Sequence, residues 1–333
     1  MCGVNMKFKQ RLISFISIII ALICVVNFNN LYIVKADEKV YLGGFTAGFS
    51  VQTLGAKVVG ICDVVTLDGV KSPSKEANIK VDDTILYIDN VRVDNASDIA
   101  KEIKGKSVVD LTILRQNEQF NTKIIVAKDV SGVEKLGLFI KDDINGIGTI
   151  TFIKGDRFAS LGHPIVSEDG NNLKITSGNL YNCSISGCIK GEKGKAGELR
   201  GVFIKNNPIG NIDKNLNTGV YGTINENFNK TSLKEVEIGD AKIGEAKIYS
   251  TIDNNKPKYY SISIVKIDID NDSKNFVIKI NDEELLSKTN GIVQGMSGSP
   301  IIQNNKLVGA VTHVFINDPT RGFGLSIEKM INN

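Results

Sequence analysis

The chain has 333 residues, 42% of them hydrophobic, enough to bury more than one core, so about two domains are expected. Its 40 basic and 37 acidic residues leave a formal charge of +3 with no basic stripe carrying interleaved aromatics, which excludes a nucleic-acid-binding surface of the usual kind. Only two histidines occur, neither is near a cysteine, and no second Cys pair exists, so neither metal nor cofactor is expected.

Lys7, Lys9 and Arg11 precede an uncharged apolar run of 17 residues from Leu12 to Phe28. A basic flank followed by an apolar stretch at the start of a chain is the pattern of an export signal. Val34-Lys35-Ala36 offers small residues at the offsets a signal peptidase needs, yet the run is also near the minimum of about 17 residues for a spanning helix. Residues 1–36 therefore fit either a cleaved signal peptide or a signal anchor. Both make the membrane a partner and put the remainder outside the cytoplasm.

Residues 40–129 read as a small α/β unit. Gly43-Gly44-Phe45-Thr46-Ala47-Gly48-Phe49-Ser50-Val51 opens it, a strand-like run ends at Ile88, and Val108 to Arg115 forms another strand. Ile99 and Ile103 stand one helical turn apart, with Asn95 or Ser97 as cap and Gly105 as stop. The pattern resembles a PDZ domain, although Asp82-Asp83 stands where Gly-Asp is usual. The resemblance implies a groove that takes peptide termini by strand addition, with backbone amides at Gly48, Phe49 and Ser50 receiving a carboxylate. A spacer that docks nothing is the other reading.

From 130 to 333, helical periodicity is scarce and short apolar alternations dominate, which predicts an all-β, barrel-type domain. Ile262 and Ile264 share one face, and Val265, Ile267 and Ile269 continue after a phase slip that predicts a bulge. Asn271 to Asn275 is a turn cluster leading into the strand 276–280. The stretch Lys190 to Gly201, with its glycines among charged residues, reads as an exposed loop. Beyond the leader, Cys62, Cys183 and Cys188 are odd in number; Cys183 and Cys188 are close enough for a small disulfide loop, which the spacing alone does not establish.

Gly295-Met296-Ser297-Gly298-Ser299-Pro300 is the most specific local signal. Glycines two before and one after a serine make a tight turn that projects the hydroxyl and leaves two backbone N–H groups free to face one point, as a nucleophile and its oxyanion hole require. A general base then has two candidates. His163, held by Gly162 and Pro164 at a strand end, is positioned like a working residue, whereas His313, in the apolar strand after the serine, suits packing or a substrate wall.

The run 291–300, together with Thr312-His313-Val314-Phe315-Ile316-Asn317-Asp318-Pro319-Thr320, Phe158-Ala159-Ser160-Leu161-Gly162-His163-Pro164, residues 193–201 and Val220-Tyr221-Gly222-Thr223-Ile224, resembles the SpoIVB peptidase family of spore-forming bacteria. The resemblance implies Ser297 as nucleophile, His163 as base and Asp282 as the acid that orients it. Asp282 also reads as a helix N-cap, and its closeness to the serine leaves Asp240 or Asp268 as alternative acids, or a rearranged barrel. The order His, Asp, Ser and the serine loop are similar to those of chymotrypsin-like double-barrel proteases, which implies Gly295 and Ser297 as the oxyanion-hole N–H donors, but Met296 replaces their usual Asp, so activation by a freed N-terminal amine is not expected. By resemblance the chain is an exported, membrane-associated serine endopeptidase. It would cleave itself and a membrane-embedded regulator of a sigma-factor-processing protease, in the space between forespore and mother cell, leading to pro-sigma K processing. A PDZ adaptor with an inert protease-like domain and an envelope quality-control protease are the rival readings.

Overall fold

Alternation of apolar and polar residues drives most of the chain into antiparallel strands, and their pairing order decides the architecture. In the computed structural model, residues 39–116, 118–141, 143–167, 170–253 and 256–333 are described. The signal or anchor expected over 1–36 lies outside the described residues. Among the described residues no helix is long and apolar enough to cross a membrane.

The chain opens with β1 (Lys39–Leu42) and β2 (Thr46–Thr53). It then leaves the main sheet for a small unit made of β3 (Ala56–Ile61), β4 (Thr84–Ile88), α1 (Ala96–Ile103), β5 (Val108–Arg115), β6 (Glu118–Ile125) and β7 (Leu138–Lys141). These strands run in the order β7-β3-β4-β5-β6. Ile85, Ile88, Ile99, Leu111 and Ile113 form their own core. Asn95 caps α1 by accepting from Asp98 N–H at 2.8 Å, and Gly105, at φ +75°, turns the chain away just beyond its end.

Back in the main sheet come β8 (Ile144–Lys154), β9 (Arg157–Ser160), β10 (Ile175–Ile189), β11 (Gly197–Leu216) and β12 (Gly219–Ile224). With β2 they run β9-β12-β11-β10-β2-β8, and β8 pairs again with β9, closing a first barrel. Next are β13 (Glu235–Ile238), β14 (Gly244–Ser250), β15 (Lys258–Ile267), β16 (Phe276–Ile280), α2 (Glu283–Thr289), β17 (Val293–Gln294), β18 (Pro300–Gln303), β19 (Lys306–Phe315), β20 (Asp318–Ser326) and α3 (Ile327–Ile331). The order β19-β18-β14-β15-β16-β20, closed by β19 with β20, makes a second barrel, while β1 and β13 bridge β8 to β19. Phe49, Ile150, Leu180 and Ile212 fill the first barrel, and Ile248, Ile262, Ile278 and Ile301 the second. Each such fully buried side chain contributes about 1.5–3 kcal/mol.

The expected mainly β, barrel-type class is what forms. The bulge expected after Ile264 appears as a register shift between Ile264 and Lys266, and Asn275 ties the following turn by donating to Asp268 O and Asn271 O. One expectation needs correction, and one open question is answered. Residues 40–53 belong to the first barrel and its bridge, so the small unit does not precede the peptidase barrels as 40–129; it is inserted between β2 and β8, two adjacent strands of one barrel. Cys62, Cys183 and Cys188 are all free, with no Cys183–Cys188 disulfide. Burial pushes the Cys183 thiol up to about 11.

Candidate active site

Ser297 sits in the turn between β17 and β18, on the second barrel, and His163 just after β9, on the first. Both line a cavity of about 420 Å³. The glycines around the serine are dictated by space: Gly298 has φ +92°, and a Cβ there would collide with Thr149 O and Leu161 N. Gly295, at φ +95°, packs its bare Cα against Leu199. Such backbone is open to glycine and strained for other residues.

Strand β8 of the first barrel holds this turn from below. Thr149 N–H donates to Ser297 O at 2.9 Å, and Thr149 Oγ1 to Gly295 O at 2.8 Å. Thr151 Oγ1 donates to Gly298 O at 2.7 Å. Both threonines are fully buried. On the other side, Gly298 N–H donates to Val311 O at 2.7 Å, and Val311 N–H to Ser299 O at 2.9 Å. Within the turn, Met296 N–H folds back on Val293 O at 3.1 Å, and no described group accepts from Ser297 N–H. An N–H left free next to a nucleophile is what an oxyanion site requires.

Ser297 Oγ donates to Thr312 O at 2.7 Å in this arrangement, not to His163. The His163 ring is set by a strained approach, with Leu161 at φ +64° and Gly162 at φ +68°. Its Nδ1 lies 2.8 Å from Pro164 O. A carbonyl only accepts, so Nδ1 carries the proton and Nε2 is left with the lone pair. Burial lowers the His163 pKa below its ordinary 6.5, opposed by the Pro164 hydrogen bond, so the ring is neutral at pH 7. The His313 ring packs on it with centroids 4.5 Å apart. Burial, then the His163 and Lys274 charges, push His313 down to about 4, and its buried Nδ1 has no partner among the described residues.

Asp282 does not occupy the place expected of it. Its carboxylate caps α2 by accepting from Leu285 N–H at 3.0 Å and also accepts from Ser261 N–H at 3.0 Å. It lines no wall of the cavity, and neither do Asp240 and Asp268; Asp268 lies 3.9 Å from Lys266. No carboxylate lines the cavity at all among the described residues. The N-cap reading of Asp282 is therefore the one its geometry supports, and Pro164 O holds the proton that an orienting acid would hold.

The peptide-binding reading of Gly48, Phe49 and Ser50 also fails. They lie in the middle of β2, paired on one side to β8 and on the other to β10, so no strand edge is open there. Gly48 is glycine because the Phe203 ring covers it. The small unit has a cavity of its own, about 560 Å³, between α1 and the end strand β7, lined by Ile99, Ile103, Leu138 and Ile140. Sequence alone assigns no role to the Thr149 and Thr151 side chains or to the Pro164 and Thr312 carbonyls. The polar pair Thr149 and Thr151, alternating with Ile150 and Phe152 in a strand buried on both faces, is the one signal that marked them. The glycine-rich stretch 190–201 is partly built into the site: Gly197–Glu198 pair with Val293–Gln294, and Ala196 reaches the cavity.

Two structures of the Rv3671c protease from M. tuberculosis are similar to part of this chain. The inactive form, a serine-to-alanine mutant, is 14% identical, with 55% of this chain and 78% of that one covered at a TM-score of 0.29. The active form is 16% identical, covering 56% and 71%, also at 0.29. No curated protein matches the chain. The model of the family described as SpoIVB peptidase S55 matches residues 132–331, which include His163, Asp282, Ser297 and the whole of the second barrel. The chain belongs to the SpoIVB peptidase family and is a serine peptidase.

Proposed function

We propose that the protein is an exported serine endopeptidase that cuts a membrane or extracytoplasmic regulatory protein, and itself, as a signalling step in sporulation leading to pro-sigma K processing. The observation that carries the endopeptidase part is the meeting of Ser297 and neutral His163 on one cavity, beside a free Ser297 N–H. The signalling context rests on the family and on the export-type leader.

In the proposed reaction, Ser297 Oγ turns from Thr312 O to His163 Nε2, which takes its proton as the oxygen attacks the peptide carbonyl. The oxyanion forms at Ser297 N–H with Gly295 N–H as second donor. His163 then gives the proton to the leaving amine, and water repeats the sequence to free the acyl group. Pro164 O steadies the ring throughout by holding Nδ1–H. The cavity between α1 and β7 of the inserted unit is the proposed docking groove for peptide termini, because β7 is an end strand of its sheet.

The adaptor reading has no use for an intact serine turn clamped by two buried threonines. Covalent labelling of the full chain by a fluorophosphonate tests the proposal directly. Wild type is labelled, Ser297→Ala is not, and peptide cleavage by Ser297→Ala or His163→Ala falls by about a millionfold. Undiminished cleavage by Ser297→Ala overturns it.

A further inference from the structure

The cavity beside Ser297 also fixes where the residue ahead of the cut must lie. Its carbonyl oxygen has to meet Ser297 N–H for attack to succeed, and Thr312 O, already in reach of Ser297 Oγ, is the acceptor that its N–H meets. The edge of β19 is ready for this. Pairing of β19 with β18 stops at Pro300 opposite Ala310, and past Val311 the same edge has no partner strand among the described residues. A substrate laid along Thr312–Phe315 continues the sheet by one strand.

With those two anchors set, the side chain between them projects between the segments that carry them: Ile292 to Gln294 before the serine, and His313 to Val314 after Thr312. Ile292 and Val293 are almost wholly buried, and the absent side chain of Gly322 makes room for Ile292 at the base. Val314 lines the same cavity, as does the exposed Ile316. No Asp, Glu, Lys or Arg lines the cavity among the described residues. Its titratable walls are His163 and His313, both held neutral by burial at pH 7. A charge entering here loses its water and finds no counter-ion.

We propose that this subsite selects an uncharged, apolar side chain immediately before the cut, with Ile292 and Val314 as its specificity-determining residues; the proposal rests on the serine-peptidase reading of the same cavity. Substrate proteins are therefore cut after residues such as Val, Leu, Ile, Met or Ala in extended segments.

The test uses the full chain in detergent: one portion is labelled with a fluorophosphonate to show the reactive serine, and a separate, unlabelled portion is incubated with a mixture of peptides of varied sequence, the cut sites being read by mass spectrometry. The expected profile is cleavage after apolar residues, with kcat/KM lower by about a hundredfold or more when that residue is Asp, Glu, Lys or Arg. Val314→Asp is expected to reverse the preference toward Lys and Arg, as a buried carboxylate in such a wall does. If Val314→Asp does not fold, Val314→Thr, nearly the same in shape, is expected to weaken the apolar preference without introducing a charge. Wild-type protein whose first portion takes the label and whose unlabelled portion cuts after charged residues as fast as after apolar ones overturns the subsite and leaves the peptidase reading intact. Protein that is neither labelled nor active overturns both.

Discussion

His163 keeps its Nδ1 proton on a carbonyl, and this sets how the site answers to pH. Burial is the larger influence on the ring and lowers its pKa from 6.5, while the Pro164 bond works the other way. Turnover needs the neutral form, so kcat/KM is expected to stay level above pH 7 and to fall only through an apparent pKa below 6.5. An acid limb at pH 7 or above, in rates measured from pH 4 to 9, would mean that an anion reaches the ring during turnover. Stability follows the same sign. A histidine depressed on folding binds its proton more readily when unfolded, so the contributions of His163 and His313 are complete above pH 6.5. They are lost as pH falls from there, for His313 toward about 4. Asp282 provides the complementary test. Asparagine caps helices as well as aspartate, so Asp282→Asn is expected to keep both fold and most of its turnover, whereas Asp282→Ala lowers stability by about 0.5–2 kcal/mol. A loss of roughly 10⁴ in the Asn variant would instead place that carboxylate on His163 in the working state. The serine turn and the histidine were legible because each is a short run of residues with its own chemistry. The acid was not, since Asp282 fits a helix cap and a triad equally well until its hydrogen bonds are seen.

At the scale of elements, strand β8 couples the two barrels to the reaction. It supplies the first barrel's wall, and through Thr149 and Thr151 it holds three carbonyls of a turn that belongs to the second. Thr149→Val keeps shape but leaves Gly295 O without its donor, in a buried place. The variant is expected to unfold in urea with stability lowered by about 1–3 kcal/mol, and with kcat reduced more than KM is raised, because the turn and not the substrate edge is loosened. A variant whose KM alone changes would show that the turn is held by other contacts. Sequence could register these threonines only as polar residues in an apolar strand. What they hold lies nearly 150 residues further on, and no local periodicity carries that distance. The same limit explains β15, where the phase slip at Val265 did announce its bulge, because a bulge is a local event.

At the scale of the whole molecule, the same reasoning explains why the small unit was recognised while its limits were misplaced. Its strands and helix were readable from α1's spacing and cap, but residues 40–53 carry strand signals that suit either sheet. Their true neighbours, in β8, β10 and β13, lie far along the chain. Register shows the consequence. Val51 in β2 stands opposite Ile144 in β8 in an unbroken antiparallel ladder, so the chain leaves and re-enters the barrel at adjacent points. Topologically the insert replaces a hairpin turn, and its core of Ile85, Ile88, Ile99, Leu111 and Ile113 is separate from that of the barrel. Replacing residues 53–142 by a tight Asn-Gly turn, which leaves Gln52 opposite Asp143, is therefore expected to leave the barrels folded and Ser297 reactive, since a two-residue loop suits strands already in register. The shortened protein should be labelled by fluorophosphonate at a rate within a few-fold of wild type, while cleavage of long protein substrates falls if, as proposed, their termini dock in the groove beside α1. Loss of labelling in a protein that still shows a cooperative unfolding transition would mean that the insert shapes the active site itself, through the strand β7 that runs into β8.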